Sequence, residues 1–259
     1  MGRSVEVGKW KKTKGVFLVL AVLSIVAGAN GAMLEGHNFG AVAPDGWANS
    51  GTSTVAAIPY GTAALSVDTS TPSRGIVAKL NSTSWLQVGA DPVLAGITDK
   101  LSIDVWVLYQ STSTAMQRIV GRGYDWYIDQ TSGTRYASFA FRDARAPTVV
   151  LSVTNAVSIA DGLWHHIQVA VDIPAGTARM DVDGTITRGT FATGGTALVN
   201  GSTVRYSIGA RATSDTLGTN MYRGSLDNVR VYNTIIPEPI TIALLGLGSM
   251  LVRRFRRRS

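Results

Sequence analysis

Two aspartates have a spacing that could support acid–base chemistry. Asp181 and Asp183 are two residues apart, so on one strand face their carboxyl groups would lie about 6.5–7 Å apart, a separation that an inverting glycosidase can use. The Asp183-Gly184 pair is also typical of a solvated hairpin turn, and we favour this interpretation. The only glutamate in residues 33–234 is Glu35. We therefore predict no catalytic residues and no enzyme activity.

The histidines do not form an evident catalytic or metal site. His165 and His166 are adjacent on a predicted strand, so their side chains point to opposite faces and cannot readily chelate one ion. His37 lies far away in the sequence. No serine lies in a Gly-x-Ser-x-Gly motif, and there is no Walker loop or dinucleotide fingerprint. We predict that His165 and His166 are structural residues at the start of a strand.

Asp227 is the candidate residue for a metal site. It shares strand parity with Val229 and Val231, which predicts a carboxylate at or near the core. Such a group must be paired, hydrogen-bonded or bound to a metal. We favour hydrogen bonds from backbone N–H groups of a neighbouring loop, and calcium at Asp227 is the alternative. The stretch from Asp181 to Gly184 has the beginning of a calcium loop but lacks its downstream glutamate.

Aromatic residues are densest from Gly123 to Tyr127, next to Arg122. Tyr124 and Trp126 share parity, so one strand face could present both rings. Exposed rings can pack against sugar faces, so we take Arg122, Tyr124 and Trp126 as candidate ligand-binding residues. Core packing is the alternative for Trp126.

Short segments with a period of two predict an all-β fold without a convincing helix. The clearest strand runs from Leu101 to Tyr109, and the clearest hairpin from Trp164 to Gly184. Further strands are predicted at Met116–Val120, Tyr136–Phe141, Thr148–Val153 and Ser225–Tyr232, and turns at Gly121-Arg122-Gly123, Thr131-Ser132-Gly133 and Ala144-Arg145-Ala146-Pro147. Regular short strands without intervening helices indicate an antiparallel sandwich.

Three segments resemble the laminin-G-like or concanavalin A-like jelly roll. They are Asp161-Gly162-Leu163-Trp164-His165-His166-Ile167, the hairpin end Met180-Asp181-Val182-Asp183-Gly184, and the stretch from Tyr222 to Asn233. The resemblance covers about residues 57–234. It implies two curved antiparallel sheets in a domain whose relatives mostly bind glycans or proteins. Some relatives are glycoside hydrolases with a Glu-x-Asp-x-x-Glu motif, which is missing here, and several hold calcium.

The N-terminus has the pattern of a secretory signal peptide. Lysines between Lys9 and Lys14 precede an apolar stretch from Val16 to Ala27, followed by small residues. This order of basic, apolar and small-residue regions is typical of such leaders. We predict a signal peptide at residues 1–32, followed by a low-complexity arm or edge strand at 33–56.

The C-terminus combines three parts in a fixed order. Pro237-Glu238-Pro239 precedes the apolar run Ile240–Val252, and a cluster from Arg253 and Arg254 to Arg258 follows. As a helix the run would be roughly 20 Å long, shorter than a ~30 Å hydrocarbon core, and its arginines favour the cytoplasmic side. The tail, residues 235–259, resembles the PEP-CTERM sorting signal of Gram-negative bacteria. This implies recognition by a membrane-embedded exosortase, cleavage near the motif and delivery to the cell surface or extracellular matrix.

The charge of the middle of the chain excludes nucleic acid as the predicted partner. The formal net charge is +7, but five of the 24 lysines and arginines lie in the leader and five in the tail. Residues between these ends carry 14 basic and 15 acidic side chains. The chain contains no cysteine, so neither disulfides nor thiol chemistry stabilises it or acts in it.

These observations together predict an exported protein of the cell surface or matrix, held in the membrane by its tail until processing. Its jelly-roll domain, residues 57–234, would be a non-catalytic module that binds exopolysaccharide or a surface protein. The alternatives are a glycoside hydrolase or lyase of the same fold, and a structural matrix protein without a specific ligand.

Overall fold

The computed structural model describes residues 33–37, 52–53, 57–61, 63–67, 76–89, 91–110, 115–192, 195, 197–199, 205–212 and 218–237. Residues 34–37, 64–67 and 89 are described by their backbone alone. The predicted signal peptide lies outside these residues, as does the sorting tail after Pro237. Within the described part of the chain, no helix has the length and apolarity needed to cross a membrane.

Strands account for nearly all the regular structure. In chain order they are β1 (Met33–His37), β2 (Ile58–Tyr60), β3 (Ala64–Val67), β4 (Ile76–Leu80), β5 (Trp85–Gly89), β6 (Lys100–Tyr109), β7 (Gln117–Arg122), β8 (Trp126–Gln130), β9 (Tyr136–Phe141), β10 (Leu151–Ser158), β11 (Trp164–Asp172), β12 (Thr177–Val182), β13 (Thr185–Thr190), β14 (Tyr206–Ile208), β15 (Arg211–Ala212), β16 (Gly218–Thr219) and β17 (Gly224–Tyr232).

Two antiparallel sheets form the sandwich. In the described residues the first sheet has the order β13-β12-β11-β6-β17-β4-β3, and β1 also pairs with β17. The second has the order β10-β9-β8-β7-β14-β5-β2, and β15 and β16 form a separate ribbon. Sequence-distant strands such as β6 and β17 are neighbours, so the sheets form only when remote parts of the chain meet. The sandwich lies within one compact unit, Ala32–Ile235.

Alternation along the strands positions the core between the sheets. Leu101, Ile103, Val105 and Val107 of β6 are all fully buried, because residues two apart share a strand face. The second sheet contributes Trp126 and Ile128 of β8 and the phenylalanines of β9 to the same core. Burying this apolar surface is the main favourable contribution to folding.

Several predicted elements are confirmed. Strands occur at 100–109, 136–141 and 224–232, and the hairpin of β11 and β12 turns at residues 173–176. Asp183 and Gly184 form the next turn with φ values of 53° and 86°, the two positive values that a tight hairpin turn requires. Residues 33–56 were predicted as a low-complexity arm or an edge strand. Within this range, residues 33–37 form the strand β1, which pairs with the end of β17.

Three predictions of local structure were wrong. Gly121 and Arg122 belong to β7 and the turn begins at Gly123, because both backbones pair with β14. The strand predicted at 148–153 instead begins at Leu151 and continues to Ser158. The chain also contains the short helix α1 (Pro92–Ala95), in which the Asp91 side chain accepts a hydrogen bond from the Val93 N–H.

Candidate functional site

A buried ion pair supports one end of the second sheet. Arg118 of β7 and Asp129 of β8 are directly opposite in register and form a salt bridge whose side chains are 1% and 3% exposed. Arg118 Nη1 also donates to the carbonyl oxygen of Gly123, 2.6 Å away. The arginine therefore links strand β8 to the turn between β7 and β8.

Tyr127 lies over this ion pair on the outer face of the second sheet. Its ring centroid is 3.8 Å from Cζ of Arg118, a distance at which a cation is attracted to the ring face. The residue opposite is Gly121, where an added Cβ would come within 2.4 Å of the Tyr127 Cβ. Glycine at this position therefore leaves the space that Tyr127 occupies. Burial raises the pKa of Tyr127, and the negative charge of Asp129 adds to this effect.

Tyr124 is the exposed aromatic residue of this end, with 46% of its surface accessible. Its ring meets that of Tyr127 edge to face, with centroids 6.5 Å apart. Cζ of Arg211 is 4.5 Å from the Tyr124 centroid and Cζ of Arg142 is 5.2 Å from it. Arg211 also donates a hydrogen bond to the Tyr124 hydroxyl. We call Arg118, Tyr124, Tyr127, Asp129, Arg142 and Arg211 the arginine–tyrosine cluster.

Local backbone structure brings the two outer arginines to Tyr124. Arg142 follows β9, and its N–H donates to the carbonyl oxygen of Asp125 in the β7–β8 turn. Arg211 lies in β15, where the Ser207 hydroxyl donates to the carbonyl oxygen of Ala210 and accepts from the N–H of Ala212. This pair of hydrogen bonds holds the turn after β14, so the position of Arg211 is set by backbone structure.

Both outer arginines retain unused hydrogen-bonding capacity. Their Nε atoms are buried and have no hydrogen-bond partner among the described residues. A buried donor without an acceptor costs about 1–3 kcal/mol. Both arginines are half-buried as residues, so part of each side chain remains accessible to a ligand.

Two of the three candidate ligand-binding residues are fully buried, and for Trp126 this is the core packing given as the alternative. Trp126 is 0% exposed and packs at a ring-centroid distance of 5.7 Å from Tyr206. Arg122 is also 0% exposed. Burial lowers the pKa of Arg122, although nearby Asp125 and Asp91 oppose this shift. Neither side chain can meet a ligand from solvent, whereas Tyr124 can.

The predicted aspartate pair has a different arrangement from that of a catalytic pair. Asp181 is buried in β12 and its Oδ1 accepts from the N–H of Gly184, 2.7 Å away. Asp183 lies in the turn, where Oδ1 accepts from the N–H of His166 at 2.8 Å. Its Oδ2 is 2.6 Å from Nδ1 of His165. Both carboxylates are therefore engaged in holding the hairpin.

His165 connects two of the three laminin-G-like segments. It is 5% exposed, and its Nε2 lies 2.8 Å from Oδ1 of Asp161, on the opposite side from Asp183. Asp161 also accepts from the N–H of Leu163, which organises the loop before β11. These contacts agree with the predicted structural role. We call Asp161, His165 and Asp183 the histidine clamp.

His166 occupies the outer face of the first sheet. Its ring stacks on Trp106 at a centroid distance of 4.5 Å, and Nε2 is 3.1 Å from Oδ1 of Asp104. Gln168 donates to the other oxygen of Asp104. As predicted, the two adjacent histidines serve opposite faces, and each has aspartate contacts of its own.

Asp227 is buried, as predicted, at 2% exposure. Its Oδ1 accepts from the backbone N–H of Asn228 at 2.8 Å and its Oδ2 from the side-chain amide of Asn228 at 3.0 Å. Asn228 has a φ of 50°, in an irregular part of β17. Calcium requires six to eight oxygen ligands, and no group of three or more acidic, histidine or cysteine ligands occurs among the described residues. Both carboxylate oxygens of Asp227 thus accept hydrogen bonds from Asn228, and calcium at this residue stays a prediction.

Comparison with known families identifies the domain. Residues 80–238 match the laminin G model described as the Concanavalin A-like lectin/glucanases superfamily. The chain belongs to this family. A search of curated proteins finds no match.

Solved structures share the fold at low sequence identity. Domain 4 of AbnA, a GH43 extracellular arabinanase from Geobacillus stearothermophilus in complex with arabinotriose, is 16% identical with a TM-score of 0.56, covering 78% of this chain and 93% of that one. Botulinum neurotoxin type C, described as dependent on two ganglioside molecules for cell entry, is 12% identical with a TM-score of 0.60, covering 85% and 52%. The binding domain of Paraclostridial Mosquitocidal Protein 1 is 11% identical with a TM-score of 0.57, covering 83% and 52%. The chain therefore spans about half the length of the two toxin chains.

Sequence reasoning missed Arg118, Asp129, Arg142 and Arg211. Alternation in β8 could have indicated that Tyr127 and Asp129 face outward, since Trp126 and Ile128 face inward and successive residues of a strand point to opposite faces. The approach of Arg142 and Arg211 had no local signal, because it depends on the pairing of β14 with β7 and on the turn after β14.

We predict that Asp129→Ala destabilises the domain by about 3–5 kcal/mol, because it leaves the buried charge of Arg118 without its partner. The double variant Arg118→Met/Asp129→Leu should cost much less, since it removes both charges. Urea unfolding followed by fluorescence measures both. Equal losses for the two variants would contradict this account.

The histidine clamp should make stability depend on pH. Both nitrogens of His165 face carboxylate oxygens, which only accept, so the clamp is complete when the ring carries both protons. Burial lowers the pKa of His165, but hydrogen bonds to Asp161 and Asp183 outweigh it and raise the pKa. The stabilisation is therefore full below the unfolded value of about 6.5 and is lost as pH rises through the raised folded value.

Accordingly, the free energy of unfolding of the wild type should fall as the pH rises above about 6.5 and through the raised pKa of His165. The variant His165→Gln should lack most of this fall, and Asp183→Asn should reduce it by removing one carboxylate. Denaturant titrations at several pH values measure the slope. A His165→Gln slope equal to that of the wild type would exclude the clamp as its source.

Proposed function

We propose that this is an exported protein of the cell surface or extracellular matrix whose jelly-roll domain is a non-catalytic, carbohydrate-binding module. The observation that carries the proposal is the exposed Tyr124 side chain with the guanidinium groups of Arg142 and Arg211 near its ring. The accessible part of the ring offers an apolar contact to the C–H groups of a sugar. The guanidinium groups offer donors to its oxygen atoms.

Family membership supports this choice of ligand class. The family description combines lectins and glucanases, and the AbnA domain with the same fold was solved with arabinotriose. The neurotoxin of similar fold is described as interacting with gangliosides. A surface protein is the second class of partner that we predicted from the sequence, but the cluster of polar donors around one exposed ring favours a glycan.

The engagement of the aspartates supports a role without catalysis. A glycosidase needs one carboxyl group to protonate the leaving oxygen and another as base or nucleophile. Asp181 and Asp183 instead accept hydrogen bonds that maintain their own hairpin, and Asp183 also contacts His165. Both carboxylates therefore already have partners within the hairpin, which favours the proposal of a non-catalytic role.

The export and sorting part of the proposal rests on the sequence of the two ends. A basic and apolar leader precedes the domain, and the tail from Pro237 has the three parts of a PEP-CTERM signal. We infer that an exosortase-type membrane protease recognises this tail in a Gram-negative bacterium. The hydrophobic helix would anchor the protein in the inner membrane until cleavage releases it to the surface or matrix.

The binding proposal is tested with the fragment Ala32–Ile235, which contains every described strand, against a panel of neutral and acidic oligosaccharides by calorimetry. We expect saturable binding of at least one glycan, weakened about tenfold or more by Tyr124→Ala, since truncating an aromatic anchor costs about 2 kcal/mol. Leu163→Ala removes another exposed apolar side chain, far along the sequence, and should bind as the wild type does.

Binding that is unaffected by Tyr124→Ala would refute this site. Failure of every glycan to bind would leave the structural-matrix alternative. Release of reducing sugar that is abolished by Asp181→Asn would instead establish the glycosidase alternative.

The sorting proposal predicts that the full chain loses a C-terminal fragment near Pro237 when it is produced in cells with an exosortase. Replacing Arg253 and Arg254 with glutamine should weaken retention on the cytoplasmic side, and deleting residues 237–259 should release the protein without anchoring. Cell fractionation with mass spectrometry of the mature C-terminus measures both. An intact C-terminus on the surface protein would refute processing.

A further inference from the structure

The arginine–tyrosine cluster carries an excess of positive charge. Arg118 is matched by Asp129, whereas neither Arg142 nor Arg211 forms a salt bridge with any described carboxylate. Asp125 lies close enough to Arg122 to act on its charge. Asp215, in the connection between β15 and β16, lies outside the described residues. Arg211 also lies close enough to Asp129 to act on its charge, but among the described residues the cluster contains three arginines and one carboxylate, an excess of two positive charges around Tyr124.

This excess is local and built into the fold. The residues between leader and tail carry 14 basic and 15 acidic side chains, so a general positive charge of the domain does not account for it. Backbone hydrogen bonds place both arginines: one from the N–H of Arg142 to the β7–β8 turn, the others within the turn organised by Ser207. Both guanidinium groups lie within 5.2 Å of the same ring centroid.

Two other described surfaces could bind a ligand, one on the first sheet and one beside β10, but their charged groups are already paired. His166 and Gln168 on the first sheet already contact Asp104. The pocket of about 300 Å³ beside β10 contains Arg145, which is paired with Asp143, and otherwise has apolar walls. Only the arginine–tyrosine cluster, among these described surfaces, combines an exposed aromatic ring with cationic groups that lack an acidic partner.

We propose that the arginine–tyrosine cluster binds a carboxylate-bearing sugar, a uronic-acid residue of an acidic polysaccharide. This inference rests on the proposed carbohydrate-binding function and specifies its ligand class. A guanidinium group matches a carboxylate with two parallel N–H···O bonds. The carboxylate would supply the acceptors that the Nε atoms of Arg142 and Arg211 lack, after the guanidinium groups turn toward it.

The sugar ring distinguishes this ligand from other anions. Its C–H groups can pack against the exposed part of Tyr124, and its hydroxyl groups can accept from the remaining N–H donors. A sulfated glycan or an acidic peptide would share the negative charge without the same carboxylate-bearing ring, so each forms a separate arm of the test.

The test measures binding of trigalacturonate and of its methyl ester to the fragment Ala32–Ile235 by calorimetry at low and moderate salt. The ester keeps the sugar rings and removes the negative charges. We expect the acid to bind at least tenfold more tightly than the ester, and Arg142→Gln or Arg211→Gln to weaken binding of the acid about tenfold each. The same variants should weaken binding of the ester less, because only hydrogen bonds to its uncharged oxygen atoms are lost.

Arg188→Gln, on β13 of the first sheet, is the matched control for loss of one positive charge and should bind as the wild type does. Thermal unfolding shows whether each variant remains folded. Dextran sulfate and poly-glutamate test whether any polyanion suffices, and we expect both to bind more weakly per charge than trigalacturonate.

Equal affinities for acid and ester, with both lost in Tyr124→Ala, would overturn the charge proposal and retain carbohydrate binding at this site. Equal binding of dextran sulfate or poly-glutamate would overturn the specificity for a uronic acid. Wild-type affinity in both arginine variants would overturn the assignment to Arg142 and Arg211. Absence of binding to every glycan would overturn the proposed function together with this inference.

Discussion

The ion pair between Arg118 and Asp129 is the constraint on which the candidate site depends. Taking two charges out of water is costly, and this cost is offset only when the partners meet in good geometry with further hydrogen bonds. Register pairing of β7 and β8 places the two residues opposite each other, and the carbonyl oxygen of Gly123 accepts an additional hydrogen bond from the arginine. The same arginine supports the Tyr127 ring and the turn that carries Tyr124.

The segments that resemble known families have a different physical role from the arginine–tyrosine cluster. The segments around Asp161 and Asp183 meet at His165 and stabilise the hairpin of the first sheet. The cluster on the second sheet uses residues that no family motif singled out. In this domain the segments that resemble the family stabilise the fold. The exposed side chains that could bind a ligand lie on strands and turns whose sequence is less distinctive.

The fold was predictable where the sequence pattern reflects local geometry. Alternation in β6 follows directly from the strand period, and Asp183-Gly184 follows from the positive φ values of a tight turn. The error at Gly121 and Arg122 has the opposite cause, since two glycines flanking an arginine resemble a turn, but pairing with β14 keeps this stretch extended. Trp126 was ambiguous because alternation shows which residues of a strand share a face, but the sequence around Trp126 did not show which of the two faces is buried.

The site was predictable only in Tyr124. Arg142 and Arg211 are 69 residues apart in number and come together through strand order and a turn after β14, neither of which a local pattern contains. Buried charges such as Arg118 and Asp129 are also hard to anticipate, since isolated sequence windows do not show that a partner lies on the adjacent strand.

The central claim is that ligand binds at this end of the second sheet. An NMR titration of the 15N-labelled fragment Ala32–Ile235 with trigalacturonate tests it most directly, because backbone and arginine side-chain N–H signals report position without any substitution. We expect saturable shifts at Tyr124, Tyr127 and Arg211 and at the Nε–H signals of Arg142 and Arg211. Shifts confined to Trp106 and His166 on the first sheet, or no shifts at saturating ligand, would contradict the account.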